Sequence, residues 1–276
     1  MKAEIQNIYR QVYNVREDDQ LLGGLERVTC VFTRRALLAI GFNGAGELLT
    51  MHYAAYGKDR PVWELDFFEQ LFHQEPLLVR QEKITRVFVL SGANMPVPGE
   101  LYDQHEAEQW FRSVHFTEAN DTIAHYNIAR EGIQYLYSIP HGIGELIKIS
   151  CRNAVVQPLA AAQFAARGSQ VTSLQCFITA EQAAVVLHAN NQLVWQRVFD
   201  YAAAEDIAYE VKLVCSANNI SADKMVAAVS GTSATEYNVA SNLSQYFSGI
   251  TGADGSYIKS VWGLALALVK QLEACA

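Results

Sequence analysis

Val28-Thr29-Cys30-Val31-Phe32-Thr33-Arg34-Arg35-Ala36-Leu37-Leu38-Ala39-Ile40-Gly41-Phe42 is the stretch on which the fold turns. It holds two apolar, β-rich runs, Val28–Phe32 and Ala36–Phe42, on either side of a polar break at Thr33-Arg34-Arg35. Asn43-Gly44-Ala45-Gly46 then supplies residues tolerant of positive φ, as a hairpin turn requires, and Leu48–Tyr53 returns as a third strand. The three runs read as an antiparallel meander. Beyond Pro61, Leu65, Phe68 and Phe72 recur at helical spacing with Trp63, Phe67 and Leu71 beside them, and Pro76 closes that helix. Ile84–Leu90 is a further strand, ending in Ser91-Gly92.

The same order returns later. Leu174–Ile178, a break at Thr179-Ala180-Glu181, Ala183–His188, a turn at Asn190-Asn191 and Leu193–Tyr201 repeat the meander, with Cys176 opposite Cys30 at an offset of 146 residues. Ile178-Thr179 falls opposite Phe32-Thr33, and one gapped residue sets Tyr201 opposite Tyr56. A helix follows on the stripe Ile207, Val211 and Val214, with Glu205 and Asp206 where acids favour the positive end of the helix dipole. Met225–Val229 then ends in Ser230-Gly231, aligned with Ser91-Gly92. An ordered series of three strands, a helix and a strand, met twice, reads as internal duplication. The expected division is 1–170 for a first half with extra strands and helices, and 171–276 for a shorter second half.

After the repeated core, the first copy is expected to continue with a helix over Leu101–Phe111, strands near Ile123–Ile128 and Ile133–Ile139, and helices across Ile143–Ala166. The second copy is expected to hold helices at Ala234–Phe247 and Tyr257–Glu273, separated by a Gly-rich loop, Ser248–Ser256. Gly249, Gly252 and Gly255 imitate the spacing of a phosphate loop, but no Lys follows, and they read as a flexible connection.

Composition narrows the function. With 276 residues, half of them hydrophobic, the chain can bury a large core. Its net charge of −8 repels phosphate backbones, and the densest basic cluster is the pair Arg34 and Arg35, so no nucleic-acid partner is expected. Five scattered cysteines suit neither a zinc site nor a disulfide framework and favour a reducing compartment. The first residues lack the apolar stretch of a signal peptide. The apolar run Val261–Val269 is well short of the roughly 20 residues that cross a bilayer. It reads as a buried helix, and the chain as cytoplasmic without membrane insertion.

Two successive copies of this unit resemble the ribonuclease-H-like duplication of the actin, sugar kinase and heat-shock ATPase superfamily. Three further segments are similar to an uncharacterised family of Bacteroidetes proteins with an actin-like ATPase fold, itself similar to pilus-assembly actin-like proteins. They are Val97-Pro98-Gly99-Glu100-Leu101-Tyr102-Asp103, then Tyr135-Leu136-Tyr137-Ser138-Ile139-Pro140, then Phe199-Asp200-Tyr201 followed by Glu205-Asp206-Ile207-Ala208-Tyr209. The fold class implied is α/β, with duplicated ribonuclease-H-like halves in an actin-like ATPase arrangement.

The superfamily's chemistry is a separate question. Active members carry an Asp-Gly-Thr or similar turn between their first two strands, whose carboxylate holds hydrated magnesium and whose amides hold phosphate. The matching turns here are Thr33-Arg34-Arg35 and Thr179-Ala180-Glu181-Gln182. Neither contains glycine, and only Glu181 brings a carboxylate, so hydrolysis reads as lost and no cofactor is expected. One element is retained: Val229-Ser230-Gly231-Thr232-Ser233 resembles the adenosine-contacting loop of active relatives. Gly231, Thr232 and Ser233 are therefore the candidate remnant of a nucleotide contact, against a plain reading as a close-packed strand-to-helix turn.

Other sites read more weakly. Tyr102-Asp103-Gln104-His105-Glu106 and His115-Phe116-Thr117-Glu118 contain metal-ligand types but lie in polar stretches that a solvated face explains. His125 and His188 sit within strand-like runs and read as packed or surface-exposed. A ribonuclease-H nuclease would need several acids at strand ends to hold two metals, and the strands place none centrally. The leading expectation is a non-hydrolysing scaffold or interaction protein with a protein partner or self-association. An ATP-binding protein or weak ATPase using ATP and magnesium comes next, and a nuclease third.

Overall fold

The structure is a computed structural model that describes residues 8–15, 21–166, 172–190, 192–232, 236–252 and 262–275. In chain order the first part runs through strands β1 (Tyr9–Asn14), β2 (Arg27–Thr33), β3 (Ala36–Phe42) and β4 (Leu48–Ala55), helix α1 (Leu65–Gln74) and strands β5 (Ile84–Val89) and β6 (Asn94–Pro98). Helix α2 (Ala107–Val114), strands β7 (Thr122–Ile128) and β8 (Ile133–Ile139), helix α3 (His141–Ser150), strand β9 (Val155–Pro158) and helix α4 (Leu159–Ala165) follow. The remainder is β10 (Ser173–Ile178), β11 (Gln182–Ala189), β12 (Gln192–Asp200), α5 (Ala204–Ala217), β13 (Val226–Gly231), α6 (Tyr237–Leu243), β14 (Gly249–Gly252) and α7 (Gly263–Glu273).

The chain divides into two compact units. One comprises Met1–Met95, Asp103–Tyr126 and Leu136–Leu159; the other comprises Pro96–Tyr102, Asn127–Tyr135 and Ala160–Ala276. The first unit's sheet has the order β1-β4-β3-β2-β5-β9, with β2, β3 and β4 antiparallel and β5 parallel to β2. The second unit's sheet has the order β12-β11-β10-β13-β14, again with an antiparallel meander and then β13 parallel to β10. Apart from the extra edge strand β1, the two orders are the same, so the repeated pattern in the sequence is a repeated topology. A third sheet, β6-β8-β7, is inserted in the first copy.

Burial explains the run-like sequence of the central strands. Every residue of β3 is buried, and so is all of β2 after Arg27, as expected when both faces of a sheet are covered. Helix α1 covers one face with Phe67, Phe68, Leu71 and Phe72, and Phe32 of β2 stacks on Phe68 at 5.5 Å between ring centroids. Fully burying each such ring is worth roughly 1.5–3 kcal/mol. In the second unit, Ile207, Ala208, Val211 and Cys215 of α5 join Cys176, Val185 and Val229 in one apolar cluster. Asp206 caps α5 by accepting the Ala202 and Ala203 N–H groups at 2.8 and 3.0 Å, and those two bonds hold its carboxyl below the usual carboxylate range.

Several expected elements shift. Gly249–Gly252 is not a loop but the edge strand β14, paired in parallel with Val226–Val229. Glycine has a poor strand propensity, yet an edge beside a buried strand tolerates it. Gly255 lies outside the described residues. Val155–Pro158 interrupts the expected run of helices with strand β9, parallel to β5, and α2 begins at Ala107 rather than Leu101. The Ser-Gly alignment also moves. Cys30 pairs with Val87 and Cys176 with Val229, so Gly231 occupies the register of Val89 and falls three residues ahead of the position that Ser91-Gly92 assigned it. The described part of the apolar run Val261–Val269 lies in α7, where Leu264, Ala265, Ala267, Leu268 and Val269 are buried. Among the described residues no helix is long and apolar enough to cross a membrane.

Candidate functional site

The turn between the first two strands of each meander, β2–β3 and β10–β11, is where the superfamily would place its phosphate loops, and both turns here close on themselves. In the first unit Thr33 Oγ1 donates to the Ala36 carbonyl at 3.2 Å; in the second, Thr179 Oγ1 donates to the Gln182 carbonyl at 3.2 Å. A tyrosine at the end of the third strand then locks each turn. The Tyr56 N–H donates to the Arg35 carbonyl and the Tyr201 N–H to the Glu181 carbonyl, at 3.1 and 3.2 Å. The Tyr56 hydroxyl donates to the Arg34 carbonyl at 2.9 Å, and the Tyr201 hydroxyl donates to the Thr179 carbonyl. The sequence alignment of Tyr56 with Tyr201 thus corresponds to the same backbone bond, while the two hydroxyls reach carbonyls one position apart in the turn.

The first turn is further covered by its own chain. Trp63, at a left-handed φ of 58°, donates its N–H to the Arg34 carbonyl at 2.7 Å. Its indole stacks on Phe68, which repays the cost of a bulky residue in that backbone region. The Tyr56 hydroxyl shares its one hydrogen between the Arg34 carbonyl and the Pro61 carbonyl, also at 2.9 Å, and accepts the Glu64 N–H at 3.0 Å. Arg35 donates to the carbonyls of Gly57 and Arg60. Residues 56–64 therefore fold over the turn and satisfy the Arg34 and Arg35 carbonyls.

In the second turn the amides themselves are spent. The Glu181 and Gln182 N–H groups both point to Thr179 Oγ1, at 3.4 and 2.9 Å. A phosphate nest needs successive N–H groups aimed outward. Glu181, which the sequence singled out as the one carboxylate, is buried, and so is Glu236. Burial raises the Tyr201 hydroxyl well above its usual range, and the Glu236 and Glu181 carboxylates add to the effect. Glu236 escapes a reading of the sequence because it lies in a polar stretch with no periodic signal.

Gly231 and Thr232 sit beside Glu236. A Cβ on Gly231 would lie 3.0 Å from the Ile178 carbonyl oxygen and 3.4 Å from Glu236 Oε2, so glycine is needed for the close approach of two parallel strands. Thr232 is buried, and its hydroxyl donates to Glu236 Oε1 at 3.4 Å. Ser233 lies outside the described residues. Ser230 donates to Gln271 of α7 at 2.8 Å, and Gln271 donates to Gln175 of β10 at 3.3 Å, a buried polar chain tying α7 to the sheet. Each described side chain of the retained motif has a bond or a close packing role inside its own unit.

The other candidates disperse. Asp103 Oδ1 accepts the His105 N–H at 2.8 Å in an exposed turn, and the Phe116 side chain is 92% exposed. His125 is exposed in β7, whereas His188 is buried against Phe164 with its Nε2 3.4 Å from Glu131 Oε2. Among the described residues no three His, Cys, Asp or Glu groups gather as metal ligands. Burial pushes the Cys151 and Cys176 thiols up to about 12, which leaves neither as a nucleophile.

The protein family described as a protein of unknown function, DUF3822, matches residues 45–250. The chain belongs to this family. Two solved structures share the fold of this DUF3822 chain. One is a protein with an actin-like ATPase fold and unknown function from Bacteroides thetaiotaomicron VPI-5482, 12% identical, with a TM-score of 0.72 over 92% of this chain and 99% of that one. The other is a chain of the PilM–PilN type IV pilus biogenesis complex, 12% identical, with a TM-score of 0.53 over 92% of this chain and 99% of that one. No curated protein matches in sequence. The DUF3822 chain therefore has the actin-like ATPase fold, and the resemblance drawn from its short motifs holds.

Proposed function

We propose that this chain is a non-hydrolysing protein of actin-like fold that works in the cytoplasm through contacts with a partner protein or a second copy of itself. The observation that carries this reading is the closure of both inter-strand turns. Tyr56 and Tyr201 occupy their carbonyls, Thr179 occupies the amides of the second, and residues 56–64 cover the first. In the second turn phosphate would have to take the Glu181 and Gln182 amides from Thr179 Oγ1, bonds worth about 1 kcal/mol net each, and would meet the buried Glu181 and Glu236. The fold relative found in the PilM–PilN complex acts together with another protein, which favours contact over turnover.

The deciding measurement pairs turnover with stability. Purified chain with ATP and magnesium is expected to release no phosphate above background. Millimolar ATP with magnesium is expected to leave the melting temperature unchanged, since a ligand held only by the folded state would raise it. Turnover that disappears in Glu181→Gln but survives an exposed substitution such as Lys224→Gln would overturn the reading. Sedimentation of the isolated chain between micromolar and tens of micromolar separates the two kinds of contact: a rising mass indicates self-association, and a constant monomer mass indicates a separate partner.

A further inference from the structure

A cavity of about 540 Å³ lies within the first unit between α3, the β7–β8 pair and β9, and neither turn contributes to its lining. The walls follow from periodicity. Gly144, Ile147 and Lys148 fall at helical spacing on one face of α3, with Cys151 just past its end, and Tyr137 and Ile139 fall on one face of β8. The floor is apolar, whereas the rim carries Lys148, Arg152 and one acid, Glu145. Exposed Glu145 approaches Lys148 at 3.6 Å. Arg152 donates its Nε–H to the Ile149 carbonyl, and among the described residues no carboxylate pairs with it. This leaves a positive rim on a chain of net charge −8, and the volume falls in the range of small-molecule sites.

The second observation is Gly144 itself. Gly142, two residues earlier, has a packing reason, because a Cβ there would lie 3.2 Å from Leu65 Cδ2 of α1. Gly144 has none: its φ is not positive, and a Cβ would meet Thr122 Oγ1 at 3.6 Å, an ordinary contact. A helical glycine costs up to about 1 kcal/mol relative to alanine. Nothing in the fold requires glycine there, but any larger side chain at that position would extend into the cavity.

We propose that this cavity binds a small amphipathic organic anion, with an apolar body on the Tyr137, Ile139 and Ile147 floor and a carboxylate headgroup at Lys148 and Arg152. Gly144 keeps the space for the apolar body, and the two cations select the headgroup. The site stands independently of the nucleotide question, since none of its residues belongs to either turn.

The test is a fluorescence titration of the full chain with 8-anilinonaphthalene-1-sulfonate, displaced by decanoate or by decanol. Saturable binding is expected, with decanoate displacing the probe at least tenfold better than decanol. Gly144→Leu is expected to weaken decanoate binding at least tenfold with an unchanged or higher melting temperature, because leucine fills the cavity and favours the helix. The double variant Lys148→Gln and Arg152→Gln, at exposed positions, is expected to erase the preference for decanoate over decanol. Absence of saturable decanoate binding overturns the proposal, as does wild-type binding by Gly144→Leu. Should that variant not fold, unchanged decanoate preference in the double variant overturns it alone. Displacement by a short apolar peptide with a free C-terminal carboxylate, but not by decanoate, would assign the site to a protein segment and also overturn it.

Discussion

Two tyrosines carry equivalent loads at unequal cost. The Tyr201 hydroxyl has one acceptor, the Thr179 carbonyl, whereas Tyr56 serves the Arg34 and Pro61 carbonyls and accepts the Glu64 N–H. Removing a buried hydroxyl leaves its partners unsatisfied, at about 1–3 kcal/mol. Tyr201→Phe should therefore destabilise by about 1 kcal/mol and Tyr56→Phe by about 2 kcal/mol, read from urea midpoints. Equal losses would mean that the cover formed by residues 56–64 contributes nothing to the first turn. Gly231 is a different kind of position. An added methyl 3.0 Å from a strand carbonyl must push two parallel strands apart, so Gly231→Ala should cost about 1–3 kcal/mol. A neutral outcome would show that β13 can move away from β10, and would reopen that strand end as a place for a ligand.

At the scale of elements, the C-terminal end of α1 is tied to the sheet edge through Glu75. Its carboxylate meets Arg10 of β1 at 2.7 Å and His52 Nδ1 of β4 at 3.4 Å. The hydrogen bond to His52 is the largest cause, with Arg10 adding to it, and together they hold the Glu75 carboxyl below its ordinary value of 4.5 despite burial. A folded-state value lower than the unfolded one stabilises the protein above the unfolded value, and that contribution disappears as pH falls through the folded value. Stability should thus decline from about pH 4.5 downward. Glu75→Gln should lose roughly 1–2 kcal/mol at neutral pH and show a shallower acid decline, measured by denaturant unfolding from pH 7 to pH 3. A parallel acid decline in the variant would remove Glu75 from the account. The elements that the sequence made legible are those whose burial is simple: β2, β3, β10 and β11 are covered on both faces and read as apolar runs. Strand β14 was not legible, because Gly249-Ile250-Thr251-Gly252 forms a strand only through the ready-made edge of β13. Strand β9 hid inside a helical stretch, since its pairing with β5 is set by residues far away in sequence. The closed turns were half legible. Missing glycines could be read directly, but the bond from Tyr201 to Thr179 and the cover of Trp63 over Arg34 depend on chain segments meeting in space.

At the scale of the molecule, the turns raise a counterfactual that separates sequence signature from site. If the chain lacks nucleotide chemistry only because its first turn reads Thr33-Arg34-Arg35, then Arg34→Asp with Arg35→Gly would restore an acid and a permissive glycine and should bring back binding. The structure argues otherwise. The Arg34 carbonyl is already an acceptor for both the Tyr56 hydroxyl and the Trp63 N–H, and a change of the Arg34 side chain leaves that backbone oxygen in place. The second unit would still present amides turned onto Thr179 and a buried carboxylate at Glu236. The double variant should therefore show no rise in melting temperature at millimolar ATP with magnesium, while losing some stability because Arg35 no longer reaches the Gly57 and Arg60 carbonyls. A rise of several degrees would mean that the turn residues alone had been the obstacle, and that a single pair of substitutions separates this chain from a nucleotide-binding relative. No rise, together with the loss of stability, would mean that the tyrosine locks have made the turns part of the core, so that regaining a phosphate site would require rebuilding the segment 56–64 and the end of β12 together.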